Sequence, residues 1–269
     1  MEVPLPLTAG AGPSPKRRLG SMEFGGPPDP ERFEEAVSRC SAALAGTDGP
    51  VWCGGLESLA DGRCALLAAG GPVWCTFRCD REGRTAAGAD VLAALIVMEG
   101  MGCAAFGLEG DDPEALAGQM ARLAPYATVP LLWPGDLPRP TVDWALGRAL
   151  ADPDVIPCAS GTEARFLTPD VDVGETLRCG PGLVEEILES EEQRPQGALK
   201  IAILDEDDLW AFSEAQYAIR DALCLWSDVP ELLEKALRYY QGRAFWDGTG
   251  DLEGDFLEEM ARKYGLILL

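Results

Sequence analysis

The sequence predicts an α/β fold of parallel βα repeats, TIM-barrel-like, either closed as one composite barrel or left as two partial barrels. Three observations carry this expectation. From about residue 50 onward, short apolar or β-branched runs alternate with stretches of helical periodicity. The phrase GPVWC occurs at 49–53 and again at 71–75, a period of 22 residues that suits one strand and its helix. Eight or nine strands alternating with helices in this way need right-handed crossovers between parallel neighbours. A doubly wound open sheet would show the same alternation.

Taken in chain order, residues 1–28 hold six prolines among glycines and the run Lys16-Arg17-Arg18, with no apolar periodicity to bury, and are expected to be a flexible arm. A first βα region over 29–152 follows. Its strands are Val51–Cys53, Val73–Phe77, Ala104–Leu108 and Thr128–Trp133, and its helices Leu56–Ala69, Ala89–Gly100, Asp112–Ala124 and Thr141–Ala151. Residues 153–195, which hold the run Val155–Cys158, several turn formers and the acidic run Glu185–Glu192, read as a connector. The alternation resumes over 196–269 with strands Leu199–Leu204, Ala222–Trp226, Arg243–Trp246 and Leu266–Leu269, and helices Asp207–Ile219, Pro230–Tyr240 and Asp251–Tyr264. The helix from Pro230 is the best marked. Proline stands near its first turn, Glu231/Lys235 and Glu234/Arg238 are spaced for i,i+4 pairs, and Gly242 lies past its end.

Composition narrows the function classes. Acidic side chains outnumber basic ones 45 to 22, and a net charge of −23 repels phosphate backbones and anionic membranes, so neither nucleic acid nor membrane is an expected partner. The longest clear apolar run, Val91–Met98, is far short of a membrane span, and the N-terminus lacks the order of a signal peptide; a cytoplasmic protein is expected. Nine cysteines then read as thiols. There is no histidine, which removes the commonest general base, the Ser-His and Cys-His nucleophile pairs and any His-containing zinc site.

Chemistry in a βα fold gathers at the carboxyl ends of strands. Cys53 and Cys75 stand there, and with Cys79 could supply three thiolates to zinc, although a lone cysteine in an apolar strand is usually a small hydrophobe. Carboxylates also follow strands: Glu109, Asp111 and Asp112, then Asp205 to Asp208, then Asp247. Converging, they would suit Mg²⁺; taken singly, helix capping explains each cluster. Cys75, Glu109 and Asp247 are the strand-end candidates for contact with a small-molecule substrate. Gly248-Thr249-Gly250 is too short for a phosphate loop.

Several phrases in a fixed order carry a resemblance: Cys79-Asp80-Arg81-Glu82-Gly83-Arg84-Thr85, Asp90–Met101, Ala104-Ala105-Phe106-Gly107-Leu108, Asp112-Pro113-Glu114, Leu123-Ala124-Pro125-Tyr126 and Val129-Pro130-Leu131. This order resembles the later part of the homocysteine S-methyltransferase domain, the zinc-thiolate barrel that is also the first module of cobalamin-dependent methionine synthases. The second half, through GALKIAILDEDDL, ALCLWSDVPELLEKAL and GRAFWDGTGDLEGDFLEEMARKYGLILL, resembles an extension of some bacterial members that is similar to the start of a pterin-binding barrel.

The resemblance implies zinc as cofactor and methyl transfer to the thiol of homocysteine, activated as a zinc-bound thiolate. It also shows departures. Gly110 stands where the first zinc cysteine is expected, no Gly-Gly-Cys-Cys phrase exists, the Asp-Gly-x-Met-Gly opening is missing, and Cys53 replaces a glutamate. No metal ligand is therefore assigned, and the expected function is a methyltransferase by descent with an impaired zinc site. The alternatives are a catalytically silent βα scaffold or binding module, and a Mg²⁺-dependent barrel enzyme using Glu109, Asp111, Asp205 and Asp247. A small-molecule substrate and a partner subunit are the partners these readings leave.

Overall fold

The computed structural model describes residues 17–20, 29–132, 155–193 and 197–269. The expected helix Thr141–Ala151 and Trp133 lie outside them. The chain divides into two compact units, Met1–Pro153 and Asp154–Leu269, each with a five-stranded parallel sheet of its own.

In the N-terminal unit the strands β1 (Arg17–Gly20), β2 (Val51–Leu56), β3 (Val73–Arg78), β4 (Ala105–Glu109) and β5 (Leu131–Leu132) lie side by side in chain order, every adjacent pair parallel. The two GPVWC copies are direct neighbours: Val51, Trp52 and Cys53 pair with Val73, Trp74 and Cys75. Arg17–Gly20, inside the stretch expected as an arm, forms β1 by pairing with Val51–Gly54, because backbone hydrogen bonds to a strand edge need no apolar pattern.

Helices α1 (Phe33–Leu44), α2 (Leu59–Ala68), α3 (Val91–Gly100) and α4 (Pro113–Leu123) touch one another in sequence and so form one layer against the sheet. Helix α3 sits in the middle of that layer. It is apolar on all sides, with Val91 and the whole run Ala93–Met98 buried, as a helix enclosed by α2, α4 and the sheet must be. Each large side chain buried here contributes about 1.5–3 kcal/mol. At Gly62 a Cβ would overlap Met98 Sδ, so glycine is what lets α2 close on α3.

The helix starts are fixed by side chains that satisfy free N–H groups. Ser58 and Asp61 form a reciprocal capping box on α2, Asp90 accepts from Leu92 N on α3, and Asp112 accepts from Glu114 N and Ala115 N ahead of Pro113 on α4.

The C-terminal unit repeats the plan with β8 (Val173–Arg178), β9 (Ala198–Ala202), β10 (Ala222–Trp226), β11 (Phe245–Trp246) and β12 (Ile267–Leu268), again in chain order and parallel. Helices α5 (Leu183–Gln193), α6 (Glu206–Ala215), α7 (Pro230–Tyr239) and α8 (Gly254–Tyr264) form its single helical layer. The other face of this sheet is covered at its lower end by an antiparallel hairpin, β6 (Ile156–Ala159) and β7 (Ala164–Leu167). Cys158 and Leu167 of the hairpin pack with Ala198, Ala222, Cys224, Phe245 and Ile267. Arg243 N and the Tyr240 hydroxyl both donate to Ala159 O, which fastens the hairpin to the sheet.

Two points of the sequence reading change. Residues 153–195 are no mere connector: they contain β6, β7, β8 and α5. Residues 33–44, not assigned from sequence, are α1. Among the described residues each unit is a sheet of parallel strands with βα connections, and no closed barrel is found. No helix among the described residues is long and apolar enough to cross a membrane.

Candidate functional site

Side chains alternate across a strand, and in the N-terminal unit this alternation separates the thiols from the polar groups. Val51, Cys53, Val73, Cys75, Phe77, Phe106 and Leu108 are buried on the helix side. Trp52, Thr76 and Glu109 share the opposite face, as their hydrogen bonds require. Trp52 Nε1 donates to Thr76 Oγ1 at 2.9 Å, and the Thr76 hydroxyl in turn donates to Glu109 Oε1. Indole nitrogen is only a donor, so the direction of this relay is fixed: tryptophan to threonine to carboxylate. The same Glu109 oxygen accepts from Gly55 N at 3.1 Å. A register shift between Cys53 and Leu56, with Gly55 at a φ of +66°, turns that N–H toward the carboxylate.

Cys75 is fully buried beside Cys53 and Cys103, and burial holds its thiol well above the ordinary range. It lies on the helix side of the strand, away from Glu109, contrary to the expectation that strand-end position would expose it to a ligand. The Cys79 thiol is pushed up to about 11, by burial first and by the charge of Asp80 second.

In the C-terminal unit Asp247 lies immediately after β11, and its partner is Lys200, from the middle of β9. Lys200, Cys224 and Phe245 are register partners across β9, β10 and β11, so the lysine reaches over the central strand to the carboxylate. Lys200 Nζ donates to Asp247 Oδ2 at 2.5 Å and to Thr249 Oγ1 at 2.8 Å. Thr249 donates to Asp247 Oδ1 through its N–H at 3.1 Å and through its hydroxyl at 2.7 Å. Both charged side chains are only 12% exposed.

Burial alone would push the Asp247 carboxyl up toward its neutral form, but the hydrogen bonds from Lys200 and Thr249 outweigh it and hold the carboxyl below its usual range. Beneath this polar layer the floor is apolar, formed by Ala198, Ala222, Cys224 and Phe245. The Cys224 thiol is pushed up to about 12 by burial and then by the Asp247 charge. Gly250 is pressed onto the ring of Trp246, with Trp226 Nε1 3.4 Å from where a Cβ would stand. Two of the three ammonium donors of Lys200 are engaged, and the third has no partner among the described residues.

Among the described residues the carboxylates expected as alternatives form no group of three that could hold a metal ion. Asp205 caps α6 by accepting from Asp208 N, Asp112 caps α4 and pairs with Arg81 at 3.0 Å, and Asp111 faces Arg78 at 3.6 Å. A cleft of about 360 Å³ opens between Cys79–Glu82 and Gly110–Asp112. It is the place where zinc would be expected from the resemblance, and the residues there do not fit the metal. Gly110 offers no donor, and a Cβ on it would meet Cys79 O at 2.9 Å and Leu116 Cδ2 at 3.3 Å. Among the described residues no three Cys, Asp or Glu side chains come together to hold a metal ion.

No protein-family model matches this chain, and no curated protein is significantly similar to it. Of the site residues, Asp247 and Glu109 are readable from their positions after strands, whereas Trp52, Thr76, Lys200 and Thr249 are not. A usable signal for Lys200 is its place as a lone lysine inside the apolar strand Ala198-Leu199-Lys200-Ile201-Ala202, since lysine is rarely buried unless it is paired.

Proposed function

We propose that this chain is a small-molecule-binding module of homocysteine S-methyltransferase descent, built on two partial barrels, that has given up zinc-thiolate chemistry. In this reading it holds a polar ligand over the carboxyl ends of β9, β10 and β11. The observation that carries it is the Lys200–Asp247–Thr249 cluster, a charged pair over an apolar floor with one ammonium donor left for an acceptor on the ligand. Burying such a pair gains little stability compared with apolar residues of the same size, so its presence at strand ends favours a binding role. Strands that follow one another in chain order with one helical layer are the arrangement of a partial barrel. The crowding at Gly110 and the protonated, buried thiols support the loss of the inherited chemistry.

The test is made on protein purified under reducing conditions. Elemental analysis should find no zinc above background, and homocysteine with a sulfonium methyl donor should yield no methionine. Thermal denaturation with homocysteine, methionine or a reduced folate should show stabilisation by at least one of them, since a ligand at a hundred times its Kd adds about 2.7 kcal/mol. That stabilisation should vanish in Lys200→Met. About one zinc per chain with methionine formation would restore the methyltransferase reading. Absence of stabilisation by all three would remove the binding site.

A further inference from the structure

We infer that the outer face of α6 docks a basic polypeptide segment of a partner protein. Helix α6 runs through Glu206–Ala215 into a 3-10 turn at Gln216–Ala218. Its inner side is given to the core by Leu209, Phe212, Ala215 and Ala218. The opposite stripe, at helical spacing, is Asp207, Trp210, Glu214 and Tyr217. Trp210 is 69% exposed and Tyr217 70%, whereas the other described tryptophans, Trp52, Trp74, Trp226 and Trp246, are half-buried or buried.

These two rings lie seven positions apart, about 10 Å along a helix, so one short segment can touch both. Tryptophan and tyrosine are the side chains that most often dominate protein interfaces, and neither ring contributes to the core of this unit.

Charge selects the occupant. Asp207 and Glu214 share the stripe with the rings, Asp205, Glu206 and Asp208 complete the acidic start of the helix, and Lys235 is bound to Glu206 at 2.6 Å. A lysine or arginine laid on this stripe gains both ion pairs and a cation–π contact with Trp210. A second copy of the chain, with a net charge of −23, is repelled. The occupant is therefore a Lys/Arg-bearing segment with apolar residues between its charges.

The test is fluorescence anisotropy of a labelled peptide in which arginines and leucines alternate at helical spacing, titrated with the full chain at low and at moderate salt. Trp210→Ala and Tyr217→Ala leave the net charge unchanged, and both residues are exposed, so folding is kept; circular dichroism checks this. Trp210→Ala is expected to weaken binding about tenfold or more, and Glu214→Lys comparably. Equal affinity in the Trp210→Ala/Tyr217→Ala double variant would show generic attraction to an acidic protein and overturn the proposal. Absence of binding by the wild-type chain would overturn it as well. So would a dimer in sedimentation that Trp210→Ala abolishes, because the stripe would then belong to a second copy.

Discussion

Removing the carboxylate of Asp247 should cost far more than removing a surface carboxylate. Asp247→Ala deletes three hydrogen bonds and leaves the Lys200 ammonium, itself 12% exposed, over an apolar floor. Breaking a buried pair by removing one partner costs about 3–5 kcal/mol, and the thin solvent edge here places the loss near about 3 kcal/mol. With a urea slope of about 2 kcal/mol per molar, the unfolding midpoint of the variant should fall by about 1.5 M near pH 7. Lys200→Met/Asp247→Leu removes both charges and should recover most of the loss, to within about 1 kcal/mol of wild type.

The pH dependence has a definite sign. The folded carboxyl titrates below the unfolded one, so its contribution is complete above the ordinary aspartate range and is lost as the pH falls through the folded value. The difference between wild type and Asp247→Asn should therefore shrink on acidification below about pH 4. Unfolding followed by far-ultraviolet circular dichroism measures all of this. A loss under about 1 kcal/mol, typical of exposed pairs, or a double variant as unstable as the single one, would refute the argument that burial makes this pair strong.

Three further outcomes are expected. Gly110→Cys should destabilise the N-terminal unit by about 1–3 kcal/mol through the contact with Cys79 O and gain no zinc, checked by thermal unfolding and elemental analysis. Gly242→Ala should cost more than about 3 kcal/mol or give insoluble protein, because its Cβ would overlap Ala159 O and stand 2.7 Å from Ser160 C, both backbone atoms of the hairpin; soluble yield and unfolding midpoint report it. A thiol-specific disulfide reagent should react slowly with the native protein near neutral pH and with all nine cysteines after unfolding, since eight are buried and only Cys179 is half-buried.

The parts of the fold that could be read from the sequence are those whose elements are fixed by local pattern. Ala222–Trp226 and the helix from Pro230 appear where apolar runs, proline and glycine place them. Within that helix the Glu234–Arg238 pair forms at 3.0 Å, but Lys235 turns to Glu206 instead of Glu231, because a partner on a neighbouring helix is invisible to i,i+4 spacing. In the stretch read as a connector the run Val155–Cys158 stands out, but its pairing with Ala164–Leu167 as a hairpin is hidden because both strands are short and partly exposed and one carries Pro157, which is how edge strands look.

The site divides in the same way. Alternation along a strand puts the tryptophan and cysteine of GPVWC on opposite sides, but nothing in the phrase tells which side meets the helices. That choice placed both cysteines in the core and Trp52 with Glu109. Asp247 was visible as a residue following a strand, while its pairing with Lys200 spans 47 positions and depends on the order of strands.

The hairpin β6–β7 has one more consequence. In a closed barrel, the side chains on the inner face of each wall are kept dry by the opposite wall. Here Cys158 and Leu167 do that for Ala198, Ala222, Cys224 and Phe245, so the C-terminal unit carries its own cover for the face that its helices leave open. A five-stranded sheet can in this way become a folding unit, because what its second face needs is not more strands but any apolar surface of the right size.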